Sequence, residues 1–129
     1  MTMRLPLLIL PFLLLAPGVE AQRGGPHDGF YEGTRFQECG RAGGRVWQAR
    51  VVGEVRFGRI TIPGLPGDPP LEGEIGPDGK VALPGFGLFR AGEGQILEGA
   101  NNARRFVSRH SGRGQCRIVH EMLRQPSGR

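Results

Sequence analysis

From residue 46 to residue 57 the chain alternates. Trp47, Ala49, Val51, Gly53, Val55 and Phe57 share one parity, and Gln48, Arg50, Glu54 and Arg56 share the other, with Val46 and Val52 as exceptions. A period of two marks a strand buried on one face. The central valines and Gly53 weigh against a helix, and Gly53 predicts a bulge or bend in so long a strand. Gly58-Arg59 reads as a turn, because apolar positions resume with shifted parity at Ile60 and Ile62. Residues 63–70 hold four prolines and read as a loop, since proline cannot donate to a central ladder. Residues 71–75 and 80–83 flank Gly76-Pro77-Asp78-Gly79, a sequence that favours a tight hairpin turn.

Further strands are predicted over 28–39, 86–90, 94–99, 103–110 and 115–124. The last also fits a helix face, but Cys116, Ile118 and Met122 fall on one strand parity. Glycine and proline recur throughout, with turn signals about every 8–12 residues, the spacing of an all-β sandwich or barrel. The pattern therefore predicts an all-β fold: an antiparallel meander of about eight strands forming a small or partly open barrel, with a two-sheet sandwich as the alternative.

The N-terminus follows another pattern. Arg4 precedes an apolar run from Leu5 to Ala16, and Val19-Glu20-Ala21 follows. A positive start, a short apolar core and a small-x-small site predict a secretory signal over 1–21, cleaved before Gln22. The run is about a dozen residues, against roughly 20 for a membrane span, and Pro6 and Pro11 interrupt it. The competing reading is an uncleaved anchor. The organisation expected is a signal at 1–21, a flexible lead-in at 22–27, one β domain at 28–125 and a flexible tail at 126–129, with no stable membrane span after cleavage. The protein is expected to be exported, periplasmic or secreted.

Export changes the meaning of the two cysteines, Cys39 and Cys116. In an oxidising compartment an even count predicts a disulfide. It would bring the first and last strands together, because bridged Cα atoms lie within about 7 Å. The alternative is a pair of metal ligands, with Cys116 and His120 at C-x3-H spacing. Cys39 has no close second ligand, so no metal is assigned.

Asp28-Gly29-Phe30-Tyr31-Glu32-Gly33, the cysteine pair, the Gly73–Val81 hairpin sequence and the terminal apolar strand resemble small exported β-rich bacterial proteins of uncharacterised function. The resemblance covers most of the chain after residue 21 and implies fold and compartment, not an activity. The first strand also resembles that of calycin-type barrels, with Phe30 and Tyr31 where those carry tryptophan.

The formal net charge is +5, and Lys80 is the one lysine, so arginine carries nearly all the positive charge. Arginine holds planar anions with a bidentate fork. Arg104, Arg105, Arg109, Arg113 and Arg117 crowd one segment and are candidate anion-binding residues. Tyr31, Trp47 and Phe57 are candidate ligand-binding residues if their parity faces a barrel interior.

No catalytic set is legible. Ser108, Ser111 and Ser127 lie outside any G-x-S-x-G elbow. His120-Glu121 begins a zinc-helix motif, but Arg124 stands where its second histidine belongs. Glu72 and Glu74 share a strand face and read as solvated carboxylates. No phosphate-loop pattern and no cofactor motif is present. Nucleic acid is not expected, since no stacking aromatics alternate with the arginines. The functional expectation is a non-enzymatic exported β-module binding an acidic envelope component or a protein partner. The alternatives are a small exported hydrolase with a site assembled in three dimensions, or a secreted inhibitor offering the 63–70 loop.

Overall fold

A computed structural model describes Thr2, residues 25–40 and residues 44–126. The predicted signal segment, Thr2 apart, lies outside the described residues. Eight strands follow in order: β1 (Gly29–Cys39), β2 (Gly44–Arg56), β3 (Arg59–Ile62), β4 (Leu71–Glu74), β5 (Lys80–Leu83), β6 (Gly92–Glu98), β7 (Arg104–Ser111) and β8 (Cys116–Arg124). They form one antiparallel sheet in the order β4-β3-β2-β1-β8-β7-β6-β5. Pairing of the first strand with the last curls the meander into a nearly closed barrel, so the barrel expectation holds over the sandwich. Among the described residues no helix is long and apolar enough to cross a membrane.

The closing contact is dictated by side-chain size. Gly33 pairs with Met122 across β1 and β8, and a Cβ at Gly33 would lie 1.8 Å from the Glu121 carbonyl oxygen. Only glycine lets these backbones approach so closely. At the far end of the same pairing Cys39 faces Cys116, and the two form a disulfide with Cα atoms 4.1 Å apart and a sequence separation of 77.

The expected turn at 76–79 forms, with the Gly79 N–H donating to the Gly76 carbonyl and the Gly76 N–H to the Lys80 carbonyl, each at 2.9 Å. Its flanking strands do not form a hairpin ladder. They share the single bridge Ile75–Val81; β4 then pairs with β3 and β5 with β6. The barrel's unsealed seam runs between them.

Two local expectations change. The turn after β2 is Phe57-Gly58, both with positive φ (52° and 73°). That backbone matches strand twist in a two-residue hairpin loop, and Asp28 accepts the Phe57 N–H at 2.9 Å. Residues 86–90 are not a strand but a tight reversal bridged by Phe86 and Phe89, with Gly87 at φ 55°. Before β1, Arg124 donates to the Pro26 carbonyl and the Tyr31 hydroxyl to the His27 carbonyl; residues 22–24 of the expected lead-in lie outside the described residues.

The inward faces build one apolar cluster from Tyr31, Val51, Val55, Ile60, Ile96, Phe106, Met122 and their neighbours. Each large side chain fully buried there contributes roughly 1.5–3 kcal/mol.

Candidate functional site

Residues directly opposite in an antiparallel pair share a face, so the ladder can be read as rows around the lumen. One row runs Gly33, Met122, Phe106, Ile96 and is apolar. The next runs Ala49, Arg35, His120, Ser108, Gly94, Val81. The third runs Trp47, Gln37, Ile118, His110. Arg35, Ser108, His110 and His120 are all buried, the two histidines at 0% exposure. The disulfide end of the barrel therefore holds a polar cluster.

Its hydrogen bonds fix the protonation states. Arg35 donates from Nε to His120 Nε2 at 2.8 Å, and from Nη2 to the Pro63 carbonyl. A guanidinium has no acceptor, so His120 Nε2 carries the lone pair and Nδ1 the proton. His120 Nδ1 lies 2.9 Å from Ser108 Oγ and donates to it. Burial, with Arg35 and then His110 adding to it, pulls His120 down to about 3. The imidazole is neutral at neutral pH.

His110 is arranged differently. Its Nε2 lies 3.2 Å from the Pro84 carbonyl, which can only accept, so Nε2 holds the proton. The Nδ1 lone pair is buried and has no hydrogen-bond partner among the described residues. The ring stands edge-on to Phe86, with centroids 4.9 Å apart, and 6.2 Å from the His120 ring. Room for it comes from Gly92, where a Cβ would lie 2.6 Å from the His110 ring. Burial lowers the His110 pKa.

Burial also lowers the Arg35 pKa, but a guanidinium at neutral pH remains a cation. Among the described residues no carboxylate lies within ion-pair distance of it. The cluster thus presents an unmatched positive charge, a serine proton free to donate and an unmatched lone pair.

The arrangement is not an activated nucleophile. Ser108 accepts from His120, so His120 cannot take the serine proton as a general base. Among the described residues no carboxylate bonds to either histidine; Arg35 bonds to His120 and the Pro84 carbonyl to His110. Among the described residues no group of three or more His, Cys, Asp or Glu side chains is placed to hold a metal ion.

The residues singled out from sequence fall elsewhere. Tyr31 is buried in the apolar layer. Trp47 keeps the inward parity but sits at the rim, 40% exposed, and Phe57 is 60% exposed because its positive φ turns it out of the strand. The three do not line one cavity. The arginine segment is dispersed. Arg104 is held by His27, the Ala103 carbonyl and Glu98. Arg117 pairs with Glu38 at 2.8 Å. Arg105 and Arg109 are exposed on the outer face, and Arg113 lies in the β7–β8 turn. Arg59 reaches both Glu72 and Glu74, at 3.2 and 3.7 Å, as expected of solvated carboxylates. An open groove of about 1090 Å³ over the outer face of β5–β8 is lined by charges of both signs, among them Lys80, Glu93, Arg109 and Glu121.

The signal for the polar cluster was present in the alternation. Ser108 and His110 continue the parity of Phe106, and His120 stands between Ile118 and Met122; polar residues in an apolar register are buried polar groups. Comparison of the chain with protein-family models, with curated proteins and with solved structures finds no match.

Proposed function

We propose that the chain is an exported, non-enzymatic β-module that binds an acidic ligand at the disulfide end of its lumen, with Arg35 as the recognition group. One observation carries this reading: Arg35 is 5% exposed, and among the described residues its partners, His120 and the Pro63 carbonyl, are neutral. A buried unpaired cation costs several kcal/mol, and an incoming anion offsets that cost. The Cys39–Cys116 disulfide suits an oxidising compartment, and the N-terminal pattern suits export. An envelope component or partner bearing a carboxylate or phosphate would present the required group.

The test uses the disulfide-bonded chain beginning at Gln22. Thermal unfolding is followed with rising concentrations of small carboxylates and phosphate at constant ionic strength. Saturable stabilisation is expected, absent in Arg35→Met. Equal response of wild type and Arg35→Met overturns the proposal.

A further inference from the structure

We infer that the ligand is a small hydroxy acid, whose carboxylate replaces the Pro63 carbonyl on Arg35 and whose hydroxyl donates to His110 Nδ1. The inference rests on the anion-binding reading above and deepens it. The Pro63 carbonyl occupies an Nη2 donor of Arg35. It is a neutral acceptor where a charged one bonds about twice as strongly. Pro63 directly follows β3 and opens the 63–70 loop, so lifting that loop frees the edge of the guanidinium. The fork of a guanidinium matches a carboxylate in one plane. Ser108, already accepting from His120, has its hydroxyl proton left for the same carboxylate.

The hydroxyl requirement comes from His110. Its Nδ1 is a buried acceptor with no donor among the described residues, and a buried acceptor left unpaired is costly. The missing donor must be neutral, because Arg35 bears on this histidine electrostatically and a second cation beside it would be repelled. The ligand must also be short. The adjoining row is filled by Phe106 and Met122, both buried to 1% exposure or less, and Phe86 walls His110.

Three probes of nearly equal size test this on the disulfide-bonded chain: lactate, propionate and lactamide. Binding is read from backbone amide shifts and from fluorescence of Trp47, the one tryptophan, at the rim of this end. Lactate is expected to bind roughly tenfold tighter than propionate, the effect of about one net hydrogen bond, and lactamide not to bind. His110→Phe should bring lactate and propionate to equal affinity while circular dichroism stays unchanged. The Gly64 amide, next to the displaced carbonyl, should shift with either carboxylate. Equal affinities in the wild-type chain, or a Gly64 amide that does not move, overturn the hydroxy-acid inference while propionate binding keeps the anion reading standing. No carboxylate binding at all overturns both. Arg35→Gln should abolish every response; if it does not fold, the His110→Phe comparison decides alone.

Discussion

Two residues apart on the same strands, the lumen changes character. Phe106 and Met122 pack among Tyr31, Ile96 and Val55, with nothing to hydrogen-bond. Ser108 and His120, next on the same inward parity, join a chain that starts at Arg35 and leaves His110 with an orphaned acceptor. One end is finished as a core. The other is buried to the same degree but incomplete in charge and hydrogen bonding. Apolar filling stabilises without direction, whereas a polar interior is stable only when every member is satisfied. This difference, and not surface charge, is what the ligand site proposed at the disulfide end rests on.

The largest test of this contrast is the staple. Changing Cys39 and Cys116 together to Ala removes a link across 77 residues of sequence and should cost about 4–5 kcal/mol in the chain-entropy view, read from urea unfolding. Hydrogen exchange should rise first at Gln37, Ile118 and His110, beside the lost bridge, and last at Phe106 and Met122. Uniform acceleration would show that the two ends are one cooperative unit.

Acid should separate the ends by an effect of comparable size. His120 titrates near 3 in the folded chain against 6.5 when unfolded. Between those values the unfolded chain binds more protons, so stability rises with pH there. The contribution is whole above pH 6.5 and is lost as the pH falls toward 3, on the order of 5 kcal/mol at the limit. His120→Gln should flatten the profile. An unchanged slope in that variant would place the acid sensitivity elsewhere.

How much of this was legible in the sequence follows the same division. The period of two in β2 and the turn chemistry at Pro77-Asp78-Gly79 are local signals, and both elements form. The cysteine pair called for the first and last strands to be close, a condition that a barrel and a sandwich both meet, so closure itself was not legible. The seam was not legible, because whether β4 and β5 pair depends on strand tilt around the whole barrel, which no local pattern encodes. β1 is the hardest strand to read: Phe30 is exposed and Arg35 buried, the inverse of what hydrophobicity alone predicts. The candidate site was hidden for that reason. Arg35 lies far in sequence from Ser108 and His120, and only the β1–β8 pairing brings it opposite His120.

A smaller effect is expected at Gly92. A methyl group there would meet the His110 ring at 2.6 Å and the Arg109 carbonyl at 2.4 Å. Gly92→Ala should cost about 1–3 kcal/mol, the usual range for overpacking. It should also change lactate binding, because His110 must shift. Loss of stability with unchanged binding would detach His110 from the ligand.

The smallest effects belong to the outer arginines. Arg105 and Arg109 project from the exposed face of β7, four residues apart, which is about 13 Å along a strand. That exceeds the screening length of about 8 Å at physiological salt, so they act as separate charges. Arg109 also faces Glu93 across the ladder, and Arg105 lies between Leu97 and Leu123. Arg105→Gln and Arg109→Gln should each change stability by less than about 0.5 kcal/mol. Arg104→Gln should cost more, since Arg104 is only 11% exposed and anchors His27. On a heparin column the two exposed changes should lower retention by small, additive steps that vanish as salt rises. Arg35→Met should leave retention unchanged, because its charge is sealed inside. A steep, non-additive loss on combining Arg105→Gln with Arg109→Gln would instead make the outer face a single polyanion site and move the acidic ligand from the lumen to the surface.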